Sequence, residues 1–151
     1  MDETIYIHYG HDSFDKSKFN PIKNQKDLVV KPKGGLWACR KDSSRTWKDW
    51  CIIQDFEKDR LKKSFEFTIS KDAKILTIDS QKKLNSLRDR DYMSPTGYKA
   101  LDFEQLSKEY DAIEVLISKD GDLYFDLYGW DIDSILIMNP DIIEEVRSSE
   151  N

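Results

Sequence analysis

Two short segments of this chain combine side chains and backbone that suit the binding of a flat or charged ligand. In the first, an imidazole, a phenol and a glycine follow one another at His8, Tyr9 and Gly10, where a run of alternating apolar residues ends. In the second, a glycine pair ending at Gly35 stands two residues before Trp37. Glycine allows a backbone to approach a ligand closely, and an indole can hold a flat cation by stacking and cation–π attraction. These five residues are candidate ligand-binding residues.

Acidic residues in the last third of the chain are the candidates for charge stabilisation. Glu114 stands in the middle of an apolar run, and Asp133 with Ser134 stands directly before another. A carboxylate close to a reacting centre stabilises positive charge that develops there. Because an unpaired buried charge is expensive, Glu114 either faces solvent on an edge strand or lines a pocket. The sequence leaves both alternatives open.

A tryptophan-rich stretch from Lys33 to Cys51 contains the glycine pair. It is typical of a turn, a short strand at 36–39 and a helix whose N-terminus is capped within Asp42–Ser44, with Trp47, Trp50 and Cys51 recurring on one helical face. In the structural interpretation, the tryptophans fill the core, since large aromatic residues dominate burial in small domains. In the functional alternative, they contact a ligand. The same alternatives hold for His8, which can be an ordinary hydrogen-bonded strand residue, and for Trp130, for which the core is favoured.

Periodicity, turn residues and cap residues predict the elements that position these candidates. Strands are predicted at 4–9, 36–39, 64–70, 73–79, 110–118, 123–128 and 133–138, and helices at 42–63, 80–89 and 103–109, with a hairpin turn at 120–121 and a closing turn at 139–143. About seven strands with two or three helices indicate an α+β domain with mostly antiparallel sheets. We expect one domain over residues 1–146 and a frayed tail over 147–151.

Composition narrows the possible functions. The chain has 151 residues and a formal net charge of −5. This charge argues against general nucleic-acid binding, which usually requires a basic surface to contact the phosphates. It has no apolar run long enough to span a membrane and its first residues are acidic, so we expect neither membrane insertion nor a signal peptide, and a cytoplasmic location. Cys39 and Cys51 lack metal-ligand spacing with either histidine. They are therefore expected to be reduced thiols, and no metal site is predicted.

The order of these motifs resembles the ADP-ribosyltransferase superfamily, in the branch that includes poly(ADP-ribose) polymerases and RNA 2′-phosphotransferases. Three segments carry the resemblance: His8-Tyr9-Gly10 at the end of the first strand, Gly34-Gly35-Leu36-Trp37-Ala38 with Trp47 downstream, and the apolar closing segment 134–143 that contains Asn139-Pro140. They span nearly the whole chain in the family's order. The resemblance implies split antiparallel β-sheets with short flanking helices.

The resemblance also implies NAD as substrate and cleavage of its nicotinamide–ribose bond. His8 would hydrogen-bond a ribose hydroxyl, the backbone of Gly10 would pair with the carboxamide, and Trp37 or Trp47 would stack on the nicotinamide. Tyr9, Gly35 and Ser44 complete the implied NAD-binding set. The family places a catalytic glutamate just before its closing strand, whereas this chain has Asp133 and Ser134 there and its strand-borne glutamate, Glu114, one strand earlier. The catalytic role stays open among these three residues.

Two functions from different classes follow as expectations. The first is an NAD-dependent ADP-ribosyltransferase or NAD glycohydrolase that modifies a macromolecular target, a protein in preference to a nucleic acid, as a bacterial or phage effector or toxin would. The second is a non-catalytic interaction domain on the same scaffold, which binds a basic partner through its acidic surface. A transferase acting on RNA 2′-phosphate is less favoured, because no cluster of arginines accompanies the motifs.

Overall fold

A computed structural model describes residues 4–25, 31–42, 52, 62–90, 101–123, 130 and 132–148. Within these ranges the chain forms seven strands and two α-helices. They are β1 (Tyr6–Tyr9), β2 (Leu36–Arg40), β3 (Ser64–Ile69), β4 (Ile75–Ile78), α1 (Gln81–Arg90), α2 (Phe103–Glu109), β5 (Ala112–Val115), β6 (Ser134–Ile137) and β7 (Ile143–Ser148). The predicted α+β class and most of the predicted strands are confirmed. No helix in the described ranges is long and apolar enough to cross a membrane.

The strands form one mixed sheet in the order β4-β5-β6-β2-β1-β3-β7. Every neighbouring pair is antiparallel except β4 and β5, which are parallel. The described residues therefore form a single mixed sheet, whereas the family resemblance implied split antiparallel β-sheets.

The middle of this sheet is nevertheless partly divided. All four residues of β1 pair with β3, but only Tyr6 and Ile7 pair with β2. β2 in turn pairs with β6 from Leu36 to Ala38. Beyond Ile7, β1 continues to pair with β3, and the first three residues of β2 pair with β6. We call the place where β1 and β2 separate the fork.

The two faces of the sheet bury different sets of side chains. The face covered by α1 and α2, called the helix face, includes Leu84, Leu106, Ile113, Trp130 and Leu136. The opposite face, called the loop face, includes Tyr6, Ala38, Phe65, Phe67 and Ile135, with Phe14 and Phe19 packed against them. Because neighbouring residues on a strand point to opposite faces, β5 and β6 contribute to both clusters, with Ile113 and Leu136 on the helix face and Ala112 and Ile135 on the loop face.

Both helices begin where their cap residues predict. The Ser80 hydroxyl accepts a hydrogen bond from the Lys83 amide at the start of α1, whose Leu84 and Leu87 are buried as expected. The Asp102 carboxylate accepts from the Gln105 amide at the start of α2. Local cap chemistry and the apolar stripe agree at these positions, so these predictions are confirmed.

The segment after β5 differs from the sequence-based prediction. The predicted strand 110–118 is regular only over Ala112–Val115, and a 3₁₀ turn at Ile117–Lys119 follows. The predicted hairpin is wrong at 122–123, which are helical. The reason is local: the Asp120 side chain accepts from the Asp122 amide and its carbonyl accepts from Leu123, which winds the chain instead of extending it.

The end of the chain is more ordered than predicted. The expected closing turn is present as a 3₁₀ turn at Pro140–Ile142, capped by Asn139. The expected frayed tail is corrected at its start, because Arg147 and Ser148 belong to β7 and pair with β3. The predictions for 27–30, 43–51, 53–61, 93–97 and 124–128, which include Ser44 and Trp47, lie outside the described residues.

Candidate functional site

The fork gathers most of the residues that the sequence assigns to ligand binding. His8 and Tyr9 form its β1 side, and Trp37 lies on its β2 side. Gly10 ends β1 with a φ of 117° and donates its amide hydrogen to the Lys63 carbonyl at 2.9 Å. Gly35 precedes β2 and donates to the Asn20 carbonyl at 2.9 Å. The two sequence segments that carry these candidates, 8–10 and 35–37, thus lie on the two sides of the fork.

The imidazole of His8 bridges the fork. Its Nδ1 lies 2.6 Å from the Trp37 carbonyl oxygen on the other side. Its Nε2 lies 3.0 Å from Nδ1 of His11, and the two rings stack with centroids 5.2 Å apart. The Phe65 ring packs against the His8 ring, with centroids 5.1 Å apart. His8 is only 8% exposed, so its position is fixed by packing as well as by hydrogen bonds.

The indole of Trp37 faces away from the His8 ring. It packs edge-on against Trp130 on the helix face, with ring centroids 4.6 Å apart. The ammonium of Lys31 lies 5.1 Å from its ring centroid. Trp130 itself is 1% exposed, so the core interpretation is confirmed for that residue. His8 and Trp37 therefore meet through the tryptophan carbonyl, while the indole already has an aromatic neighbour and a cation.

The glycine pair before β2 is required by packing of the chain itself. Gly34 and Gly35 have φ values of 83° and 73°, in the region that residues with a Cβ rarely adopt. A Cβ on Gly34 would lie against backbone carbonyls of Pro21 and Asn20. A Cβ on Gly35 would lie 2.6 Å from a methyl group of Leu136. The backbone at the glycine pair does lie close to neighbouring atoms, as the sequence suggested, but those atoms belong to the protein itself and not to a ligand.

Glu114 is buried and fully paired. It lies on β5, an interior strand, and is 4% exposed, so the alternative of a solvent-facing edge position is wrong. Arg40 donates from Nε and Nη2 to its two carboxylate oxygens, each at 2.8 Å. These hydrogen bonds raise the pKa of the Arg40 guanidinium above its usual range. A buried charge requires such a partner, and the sequence analysis did not identify it.

Tyr6 lies beside the Arg40–Glu114 pair. Burial, and next the negative charge of Glu114, raise the pKa of the Tyr6 hydroxyl to about 12. Arg40 pairs with Tyr6 across β1 and β2 and opposes this effect. One sequence signal points to Arg40: side chains alternate between the two faces along β2, so Arg40 lies on the same face as Ala38. What the sequence does not supply is the strand order that puts β5 within its reach.

Glu114 and His8 share the loop face of the sheet. Glu114 pairs with Ile135, and Ile135 with Ala38, so all three point to one side. His8 pairs with Phe65 on that same side. Three strand spacings separate Glu114 from His8, which corresponds to about 14 Å between their backbones. The small side chain of Ala38 lies between them.

The structure does not place the Ser134 side chain with His8 and Glu114 on the loop face. Ser134 precedes Ile135, which pairs with Ala38 on that face, so the Ser134 side chain lies on the helix face with its partner Val115. The Asp133 carboxylate accepts hydrogen bonds from the backbone amide and hydroxyl of Ser118. The Ser134 hydroxyl donates to the Ile132 carbonyl. Both side chains stabilise the local backbone before β6.

Comparisons of the chain with protein-family models, with curated proteins and with solved structures find no match. The geometry of the fork and of the Arg40–Glu114 pair therefore carries the functional argument.

Proposed function

We propose that this protein is an NAD-dependent ADP-ribosyltransferase or NAD glycohydrolase, and that NAD enters at the fork. The observation that carries the proposal is the separation of β1 from β2 beyond Ile7, with the His8 imidazole in the opening. Backbone groups of strands that are not paired with each other can recognise a carboxamide when a ligand lies between the strands. Gly10 directly follows β1, and Gly35 directly precedes β2.

The reaction breaks the bond between the nicotinamide nitrogen and the ribose carbon. The bonding electrons leave with the neutral nicotinamide, and positive charge develops on the ribose as in glycoside hydrolysis. A nucleophile then bonds to that carbon and gives up a proton. With a side chain of a target protein as nucleophile the product is an ADP-ribosylated target, and with water it is ADP-ribose.

Glu114 is the acid that best fits the role of stabilising this charge. It lies on the loop face with His8, in a buried position where a carboxylate acts through a low local dielectric. Asp133 and Ser134 are engaged in local hydrogen bonds at the start of β6. In the proposal, His8 hydrogen-bonds a ribose hydroxyl of NAD between the fork and Glu114.

Arg40 gives Glu114 a way to act only when substrate is bound. The Glu114 side chain is buried, but 43% of the Arg40 side chain is exposed, so a ligand can reach the guanidinium. A diphosphate offers Arg40 the same bidentate geometry as a carboxylate and more negative charge. If the NAD diphosphate takes over one or both of these hydrogen bonds, the Glu114 carboxylate turns toward the ribose.

The test is nicotinamide release by the purified protein, measured by chromatography with and without candidate protein targets. Glu114→Gln keeps the shape of the side chain and removes its charge, so we expect release to fall about 10²–10³-fold. Glu66→Gln is the matched control, because Glu66 is a buried carboxylate of β3 that pairs with Lys41 instead of Arg40. If wild-type protein neither binds NAD nor releases nicotinamide, or if the two variants lose activity equally, the proposal is wrong.

One observation favours a second candidate, a non-catalytic interaction domain. Both oxygens of Glu114 are occupied by Arg40, and in this second candidate function the pair holds the sheet together without acting on a substrate. The net charge of −5 would then attract a basic partner. This function predicts partner binding that weakens with salt and is unchanged by Glu114→Gln. Loss of nicotinamide release in that variant would exclude it as the sole function.

A further inference from the structure

The chain contains two histidines, and the structure places both in one contact. We propose that His8 and His11 form a two-imidazole site for a divalent transition metal ion of the Zn²⁺, Ni²⁺ or Cu²⁺ class. No metal site is predicted from the sequence, because Cys39 and Cys51 lack metal-ligand spacing with either histidine. The pair is instead brought together by the turn at Gly10, which folds His11 back over the end of β1.

The hydrogen bond to Trp37 fixes which nitrogen of His8 can bind a metal. A carbonyl oxygen only accepts, so the Nδ1 that lies 2.6 Å from it carries the proton. In the neutral ring the lone pair is then on Nε2, the atom that faces His11. Metal-binding histidines typically donate their other ring N–H to a carbonyl or carboxylate, which orients the ring and increases its basicity. His8 has this arrangement before any metal binds.

The spacing of the two facing nitrogens suits a shared ion. Nε2 of His8 and Nδ1 of His11 lie 3.0 Å apart. Two nitrogens bound to one tetrahedral zinc at about 2.0–2.1 Å each are about 3.3 Å apart. The required change is a few tenths of an ångström together with a tilt of the rings. His11 is exposed and can supply that movement, while His8 is held by Trp37 and Phe65.

Binding exchanges one hydrogen bond for two metal bonds. In the neutral pair, His11 donates its Nδ1 hydrogen to Nε2 of His8. To bind the metal, neutral His11 must carry its proton on Nε2 instead, so Nδ1 gains a lone pair and the pair releases no proton. Metal binding is therefore coupled to a tautomer change in His11 and leaves the tautomer of His8 unchanged.

The ligand set decides the class of ion. In the described part of the chain, no group of three or more histidine, cysteine, aspartate or glutamate side chains is placed to hold one ion. Water or an added ligand would fill the other positions, as in sites that stay open to exogenous groups. Imidazole suits zinc, copper and nickel, whereas Mg²⁺ and Ca²⁺ prefer oxygen ligands. We expect binding of the first group and none of the second.

The direct test is calorimetric titration of tag-free protein with ZnCl₂ and, separately, with MgCl₂. Loss of an outer-sphere partner costs about 10–100-fold in metal affinity, so removal of a ligand in His11→Ala should cost at least about tenfold. His11→Ala keeps Cys39 and Cys51, and therefore controls for zinc bound by thiols. Because His11 is exposed, the variant is expected to fold, which circular dichroism checks. Equal zinc affinity in wild type and variant, or no zinc binding to either, would overturn the proposal.

Long-range ¹H–¹⁵N spectra of the two imidazoles provide a second readout. We expect zinc to shift the signals of His8 Nε2 and His11 Nδ1, to move the His11 proton to Nε2, and to leave His8 Nδ1 protonated. A shift confined to His11 Nε2 would mean that the ion binds one exposed ring, and the two-imidazole site would be rejected. Both measurements are made without NAD, so their outcome is independent of the proposed enzymatic activity.

Discussion

Arg40 reaches across β6 to hold both carboxylate oxygens of Glu114, with two donor–acceptor distances of 2.8 Å. The two residues come from strands that are not neighbours, β2 and β5, and they are 74 positions apart in the chain. A buried carboxylate is tolerated only when such a partner is present. The pair therefore links β2 to β5 across β6 on the loop face, within the part of the sheet that lies on the β2 side of the fork.

Removing Arg40 should destabilise the protein more than removing a surface cation. Arg40→Met leaves the Glu114 charge buried without its partner. Loss of one member of a buried pair costs about 3–5 kcal/mol, and because Arg40 is partly exposed we expect about 2–3 kcal/mol. Urea unfolding followed by circular dichroism measures the change.

Two variants make that result specific. Lys16→Met breaks the exposed pair between Lys16 and Asp141, and should cost less than about 1 kcal/mol. The double variant Arg40→Met/Glu114→Met removes both charges and should recover most of the lost stability. If Arg40→Met and Lys16→Met behave alike, the buried pair does not contribute as described.

The raised pKa of Tyr6 predicts that the protein loses stability at high pH. Burial, followed by the charge of Glu114, raises its pKa to about 12 in the folded protein, whereas an unfolded tyrosine titrates near 10. Between these values the unfolded chain loses a proton that the folded chain keeps, so rising pH favours unfolding. Neutral Tyr6 therefore contributes about 2–3 kcal/mol to the free energy of unfolding below about pH 10, and this contribution is lost as the pH rises to about 12.

Tyr6→Phe isolates this effect from the other titrating groups. The difference in unfolding free energy between wild type and Tyr6→Phe should change over that pH range, and the tyrosinate absorbance of the variant should lack a component that titrates near pH 12 in the wild type. A constant difference in stability from pH 9 to 12 would contradict the assignment.

The sequence predicts elements well where local and tertiary preferences agree. The cap at Asp102 and the buried positions of α2 follow from residues a few positions apart, and so does the alternation of β3. The prediction failed after β5, where the Asp120 side chain stabilises a helical turn in a segment whose Asp-Gly pair is typical of a hairpin. Competing local hydrogen bonds of one side chain decided the outcome there.

The site was only partly predictable because it depends on strand order. His8, Gly10 and Trp37 were identified from their types and neighbours, and they do meet at the fork. The direction of the Trp37 indole, the partner of Glu114 and the contact of His8 with His11 all require knowledge of which strands are adjacent. No short-range pattern in the sequence contains that information.

The glycine pair should be needed for stability whether or not NAD binds. Gly34→Ala and Gly35→Ala each force a Cβ into a positive φ and into contact with neighbouring atoms, so each should cost more than about 1 kcal/mol. Gly121→Ala is the matched control, because no atom lies within 4 Å of the added Cβ and its φ is not positive. We expect the control to change the unfolding free energy by less than about 1 kcal/mol in thermal or urea unfolding. Equal effects at all three positions would show that the turn before β2 can relax.

The direction of the Trp37 side chain gives the sharpest test of how NAD would lie at the fork. The indole packs against Trp130 on the helix face, whereas the His8 ring is on the loop face with Glu114. Trp37→Phe should therefore lower stability and change NAD affinity less than about threefold. His8→Ala should weaken NAD binding about tenfold, the size of one hydrogen bond of about 1–1.5 kcal/mol. Calorimetric titration with NAD, together with melting temperatures of both variants, separates the two effects. If Trp37→Phe weakens NAD as strongly as His8→Ala does, the indole stacks on the ligand as the sequence alone suggested, and the NAD site extends through the fork to the helix face.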